Sequence, residues 1–129
     1  MLIKLQYLIF LSGIALFSSI PSLAQSNCET LPDGRSFGPL DTIEFALTNY
    51  GRVIGETEGS AVNARSLPTI NGEVRATFRV GQENLSIFGK GFDEKCRIWY
   101  QIYDPETQDT WFVLSEFIQI TGNENADYF

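Results

Sequence analysis

The side chains that most enzymes use for catalysis are scarce in this chain. It has no His and only two Cys among 129 residues. Without His, the Ser-His-Asp and Cys-His arrangements cannot form, and neither can a zinc site with His ligands. The 16 Asp and Glu residues leave a paired-carboxylate hydrolase possible, but no acidic pair stands in a recognisable active-site motif. We therefore expect no enzymatic activity, no cofactor and no bound metal.

Three carboxylates lie close together in the segment DPETQD. Asp104, Glu106 and Asp109 are the residue types that bind calcium. The segment lacks the central Gly and the distal Glu of an EF-hand loop. We therefore expect a solvated hairpin loop here.

The first 24 residues have the pattern of a secretory signal peptide. Lys4 is the only charged residue before Glu29, residues 5–17 are mostly apolar, and Ala24 ends a small-residue cleavage motif. An uncleaved anchor is the alternative, but the apolar run is shorter than the ~20 residues that span a membrane. A lipoprotein signal is disfavoured because residues 25–27 are too polar and too large for a lipobox. The sequence predicts export to the periplasm or the medium, without stable membrane insertion after cleavage.

The charge of the chain restricts its partners. Cleavage would remove only Lys4 among the charged residues, so the net charge would change from −7 to −8. Nucleic-acid binding depends on Lys and Arg that neutralise phosphates, and an acidic surface opposes it. Anionic lipids and anionic wall polymers are disfavoured for the same reason. A neutral or amine-bearing ligand fits better.

Both cysteines remain after cleavage of the signal peptide. In an exported chain, an even number of Cys predicts a disulfide, here between Cys28 and Cys96. This bond would attach the N-terminal segment to the rest of the fold.

The mature chain divides into an N-terminal arm at residues 25–49, a strand-patterned domain at residues 50–122 and an acidic tail at residues 123–129. Within the arm, Asp41 and Glu44 fit a capping box, and apolar residues recur at helical spacing from Ile43 to Tyr50. These signals favour a short helix. The alternative is a strand, because Ile43, Phe45 and Leu47 also alternate with the residues between them.

The domain alternates apolar and polar residues with a period of two and is interrupted by Gly about every ten residues. Strands are expected at residues 52–56, 61–65 and 74–80, followed by a strand around Ile87, two strands around the DPETQD loop and a closing FIQI segment. This pattern predicts an all-β fold, a small barrel with the arm tethered to it by the disulfide.

Several phrases resemble the bacterial SH3 (SH3b) domain family. VNARSLPTINGEV, which begins at Val62, is similar to the opening motif of that family, and Gly81 matches a later Gly. WYQI from Trp99 and FVLSEFIQI from Phe112 are similar to its central and closing motifs. The matches span about residues 52–121 and keep the order of the family. They imply an SH3-like barrel.

The resemblance also implies which side chains face the core. Val62 and Ala64 would point inward, and Arg65 would point outward, either to hold loop carbonyls or to contact a ligand. In the hairpin around the DPETQD loop, the family pattern assigns the core face to Tyr100, Ile102 and Val113. The other face then carries three aromatic residues: Trp99, Tyr103 and Phe112.

That aromatic face has two interpretations. Exposed rings in a strip are a candidate binding surface. Alternatively, the arm could cover them through its apolar residues, which are Ile43, Phe45, Leu47 and Tyr50. We expect the ligand-binding residues to come from Trp99, Tyr103, Phe112 and Arg65.

The resemblance implies a non-catalytic binding module of the cell envelope. Such a module recognises a cell-wall peptide of peptidoglycan or the extended segment of another protein. The alternative is an accessory or inhibitory subunit that docks on one envelope protein, as an acidic surface and a tethered arm would allow.

Overall fold

The described chain consists almost entirely of short strands joined by turns. The structure is a computed structural model that describes residues 27–124. The strands in chain order are β1 (Glu29–Thr30), β2 (Ser36–Phe37), β3 (Thr42–Val53), β4 (Ala61–Arg65), β5 (Val74–Arg79), β6 (Leu85–Phe92), β7 (Ile98–Asp104), β8 (Asp109–Leu114) and β9 (Ile118–Asn123). A 3-10 helix, Ser115–Phe117, separates β8 from β9.

Three predicted segments fall outside this range in whole or in part, because residues 25 and 26 of the arm also lie outside it. The signal peptide, residues 1–24, and the last five residues of the predicted tail, 125–129, lie outside the described residues. Within residues 27–124, no helix is long and apolar enough to cross a membrane.

The strands form two antiparallel sheets. β1 and β2 make a two-stranded sheet, and the other seven follow the order β5-β4-β8-β7-β6-β3-β9. The β7–β8 register places Ile102 opposite Trp111 and Tyr100 opposite Val113, as predicted from the hairpin. The predicted all-β class is confirmed.

The predicted helix in the arm is wrong, and the strand alternative is correct. Residues 42–53 form β3, which pairs with β6 on one side and, over Asn49–Val53, with β9 on the other. Ile43 and Phe45 are half-buried, whereas Glu44 and Ala46 are exposed. Pairing with two neighbours outweighs local capping signals, because a helix of this length depends on tertiary packing for its stability. The predicted boundary between residues 49 and 50 therefore falls inside a continuous strand.

One core joins six of the strands. Its buried side chains are Val53, Val62, Ala64, Val80, Leu85, Ile87, Ile102, Val113 and Ile118. Tyr100 packs against this cluster. The inward positions expected for Val62, Ala64, Tyr100, Ile102 and Val113 are confirmed. Alternate residues of each strand supply this core because successive side chains point to opposite faces.

The disulfide predicted between Cys28 and Cys96 is present, with the two Cα atoms 5.2 Å apart. It connects the start of β1 to the turn between β6 and β7. Beside it, Lys90 Nζ lies 2.8 Å from a carboxylate oxygen of Glu29, an ion pair that also joins β1 to β6. The small β1–β2 sheet is thus attached to the large sheet at two neighbouring points.

Reduction of the disulfide, or the Cys96→Ser substitution, should lower the melting temperature while leaving the β signal in circular dichroism. The bond closes a segment with a sequence separation of 68. On the chain-entropy model, a loop of this size is worth roughly 4 kcal/mol. Thermal unfolding with and without reductant measures the effect. An unchanged melting temperature would show that the tethered segment contributes no stability.

Candidate functional site

The four residues predicted to bind a ligand lie in two separate regions. Arg65 and Trp99 line one groove, of about 210 Å³, between β4 and the end of β8; we call it the Trp99 groove. Phe112 is the partner of Arg65 in the β4–β8 pairing and lies beside this groove. Tyr103 lines another groove with residues of β3 and β6, the Tyr103 groove. The structure therefore brings three of the four residues together.

Trp99 and Phe112 lie on the face of β7 and β8 that points away from the main core. Only 4% of Trp99 and 6% of Phe112 is exposed, so these two rings are covered. The cover differs from the one expected, because Ile43 to Tyr50 belong to β3 in the sheet. Two loops lie against these rings: residues 66–73 place Pro68 near the Phe112 ring, and residues 93–97 follow Asp93, which accepts from the Trp99 indole. A direct ligand contact by either ring stays a prediction.

The loop 66–73 is held down by close packing and by hydrogen bonds. A Cβ on Gly91 would lie 2.7 Å from Pro68 and 3.3 Å from the Phe112 ring, so the fully buried Pro68 can approach only because residue 91 has no side chain. Thr69 is also buried, and its hydroxyl lies 2.9 Å from the carboxylate oxygens of Glu94, to which it donates. The two covering loops are thus bonded to each other.

Asp93 organises the second covering loop. Its carboxylate is fully buried and accepts from the backbone N–H of Lys95 and Arg97, from Nε of Arg97 at 2.7 Å and from Nε1 of Trp99 at 3.1 Å. Burial by itself would raise the pKa of Asp93, but the hydrogen bonds from Trp99, Arg97 and Lys95 outweigh it and lower the pKa below its usual value. Asp93 therefore remains an anion that fixes the orientation of the Trp99 indole.

Sequence reasoning did not identify Asp93. The available signal was an Asp two residues before Lys95 in the segment FDEKC, since Asp side chains accept from the backbone N–H two residues on. Nothing in that local pattern indicates that the same carboxylate also reaches Trp99.

The Trp99 groove exists because β4 and β8 stop pairing. Within the described chain, their ladder consists of one pair, Arg65 with Phe112. The N–H of Val80 donates to the carbonyl of Ser60, the residue just before β4. In the same register, the even-numbered residues of β4 exchange backbone hydrogen bonds with β5. Ala61 and Asn63 then direct their backbone groups to the other side, because antiparallel partners alternate. The next pair would join Asn63 to Leu114, but β8 ends there and both residues line the groove instead.

A larger groove continues from the Trp99 groove. It has a volume of about 630 Å³ and shares Ala61, Val62 and Phe117 with it. Arg65 and Arg97 line the first groove, and Glu56 and Glu116 line the second. The combined groove therefore carries cationic groups at one end and anionic groups at the other.

Arg65 holds a loop carbonyl, which is the structural role expected for it from the sequence. Its Nη1 donates to the carbonyl of Gly72 at 2.9 Å and so holds the loop 66–73 in place. The side chain also lines the Trp99 groove, and a ligand contact by Arg65 stays a prediction.

The loop between β7 and β8 is a short turn. Asp104 accepts from the backbone N–H of Glu106, and the carbonyl of Asp104 accepts from Gln108. Across residues 27–124, no group of three His, Cys, Asp or Glu side chains is placed to hold a metal ion.

Comparison of the chain with protein-family models, with curated proteins and with solved structures found no match. The interpretation of the grooves therefore depends on their own geometry and chemistry.

The lowered pKa of Asp93 predicts a specific loss of stability in acid. A carboxyl whose pKa is lower in the folded state stabilises the fold above its unfolded pKa of about 3.9, and this contribution is lost as pH falls through the folded pKa. Below pH 4, the free energy of unfolding of the wild type should therefore fall more steeply with pH than that of Asp93→Asn. Urea unfolding between pH 2.5 and 7 measures both slopes.

Asp33→Asn is the matched control for this experiment. The pKa of Asp33 is also lowered, by hydrogen bonds from Arg35, but its side chain is half-exposed and its ion pair with Arg35 is local. Its substitution should cost little at pH 7, whereas Asp93→Asn should be clearly destabilising there. Equal stability of the two variants at pH 7 would contradict the role given to Asp93.

Proposed function

We propose that this chain is an exported, non-catalytic SH3b-like binding module of the cell envelope that recognises an extended peptide segment, with the cell-wall peptide of peptidoglycan as its first candidate. The observation that carries the proposal is the interrupted β4–β8 ladder beside Trp99. It leaves a strand edge, an apolar wall and charged ends in one continuous groove.

The positions of the family-like phrases support the SH3-like part of the proposal. VNARSLPTINGEV covers most of β4, the loop 66–73 and the first residue of β5, whereas WYQI lies within β7 and FVLSEFIQI runs from β8 through the 3-10 helix into β9. Each phrase coincides with elements that contribute to the main core.

Backbone contacts at the end of β3 support a curled sheet. The N–H of Val53 donates to Gln82, and the carbonyl of Val53 accepts from Gly81. These bonds bring β3, near one margin of the sheet, to the connection after β5, which is the opposite margin. A small barrel is the arrangement that such contacts favour.

The groove offers an extended segment two kinds of contact. Peptide recognition by strand addition obtains affinity from main-chain hydrogen bonds and specificity from pockets for alternate side chains. Asn63 would supply the main-chain groups. Ile70, Leu114 and Phe117 line the groove and would pack against an apolar side chain of the ligand.

The charges would set the direction of the bound segment. Acidic groups of the ligand would lie near Arg65 and Arg97, and amine groups near Glu56 and Glu116. Cell-wall peptides carry both kinds of group, as do many protein segments. The disulfide fits a protein that functions outside the reducing cytosol.

Retention on purified peptidoglycan sacculi tests the proposal. The mature protein should bind intact sacculi at physiological salt and lose this binding after an amidase has removed the peptides from the glycan. Failure to bind, while a known wall-binding domain is retained on the same preparation, would exclude the wall peptide as the ligand. Capture of one envelope protein by crosslinking in cells would then favour the accessory-subunit alternative.

Pro substitutions distinguish loss of strand addition at β4 from a general loss of structure. Asn63 and Thr77 are cross-strand partners in β4 and β5. The N–H of Asn63 faces the groove, whereas the N–H of Thr77 faces the free margin of the sheet. Asn63→Pro should weaken retention about tenfold, equivalent to one lost hydrogen bond of about 1.4 kcal/mol, and Thr77→Pro should not. Equal retention of the two variants would exclude strand addition at β4.

A further inference from the structure

The Tyr103 groove lies on the surface of β3, β6 and β7 and has a volume of about 380 Å³. Ser86 pairs with Tyr50 on one side and with Tyr103 on the other, so these three residues lie side by side on one face of the sheet. Phe88 also lines the groove, as do Thr48 and Glu124 at its rim. None of these residues lines the Trp99 groove or its continuation.

Three aromatic rings form the walls of this groove. The rings of Phe88 and Tyr103 are perpendicular, with centroids 6.2 Å apart, and Tyr50 contributes the third ring. None of the three belongs to the set of side chains packed against the main core, and 38% of Tyr103 is exposed. Rings at right angles present π faces to a ligand from more than one direction. The faces of aromatic rings are negative and attract cations.

The groove also carries a negative charge, which complements a cationic ligand. Glu124 brings the one charged side chain among its lining residues, and its Oε2 accepts from the backbone N–H of Thr48 at 3.3 Å. This bond holds the carboxylate at the rim, beside the rings. The whole chain carries a net charge of −7, which also attracts cations.

We propose that the Tyr103 groove is a binding site for an organic ammonium group, such as a quaternary or alkylated amine. The rings surround the cation through cation–π interaction, and the Glu124 carboxylate neutralises its charge. An anion would be repelled by Glu124, and a neutral apolar group would leave the negative charge of that carboxylate uncompensated. This site is independent of the peptide groove proposed above, so each can fail without the other.

Choline and its neutral carbon isostere, 3,3-dimethylbutan-1-ol, are the matched probes. They have nearly the same shape, and only choline carries a charge. Titration of the mature protein, followed by NMR of the Tyr and Phe rings, should show choline binding at least about fivefold more tightly than the alcohol. Equal affinities, or binding of N-acetylglucosamine without binding of choline, would overturn the proposal.

Amino-acid substitutions then test whether choline binds in the Tyr103 groove. Phe88→Leu and Tyr103→Leu keep an apolar side chain but remove a π face, and each should weaken choline binding roughly threefold to tenfold. Since half-buried Phe88 could be needed for folding, exposed Tyr103 gives the cleaner measurement. Glu124→Gln should also weaken binding. Glu44→Gln makes the same charge change at an exposed position of β3 outside the groove and should leave binding unchanged. Choline affinities unchanged in both Tyr103→Leu and Glu124→Gln would refute the assignment.

Discussion

The buried carboxylate of Asp93 is the interaction on which much of this structure depends. A charge without solvent is costly unless hydrogen bonds replace its water, and Asp93 accepts four such bonds from three residues. Those bonds determine the path of residues 93–97. The same turn carries Cys96, which holds the N-terminal segment through the disulfide, and leads into β7, where Trp99 lies. One anion therefore connects the covalent attachment of the arm to the position of the indole beside the groove.

The two grooves arise from two different irregularities of the same sheet. The Trp99 groove opens where the 3-10 helix ends β8 before its pairing with β4 can continue. The Tyr103 groove lies beside the irregularity between Ile87 and Gly89, where the β6–β7 register shifts at Phe88. A bulge of this kind redirects a side chain that would otherwise follow the regular alternation. Regular pairing forms the core, and the two grooves lie where that pairing is interrupted.

Much of the fold could be predicted from the sequence, because it depends on local alternation. The period of two identified most of the strands and the hairpin register, and the resemblance to SH3b domains implied the inward positions of Val62, Ala64, Ile102 and Val113. The export predicted from residues 1–24, together with the even number of Cys, was enough to predict the disulfide. The helix expected near Ile43 was wrong because capping signals are local, whereas the partners of β3 are β6 and β9, which are distant in sequence.

The candidate site was harder to predict for the same reason. The packing near Phe112 depends on Pro68 meeting Gly91, and the bond between the two loops depends on Thr69 meeting Glu94; each pair is more than twenty positions apart in sequence. Tyr103 was expected in one aromatic strip with Trp99, but it lines a separate groove with Tyr50 and Phe88 from two other strands. Composition and alternation do not specify which loops and strands meet.

The position of β5 at a margin of the large sheet has a consequence for protein at high concentration. A free strand edge can pair with the same edge of another molecule and begin an aggregate. On β5, Arg75 and Arg79 are exposed on a strand of only six residues. Edge-to-edge association of two copies would bring these guanidinium groups close together, and repulsion between like charges opposes it. The two exposed arginines thus oppose self-association along this edge of the sheet.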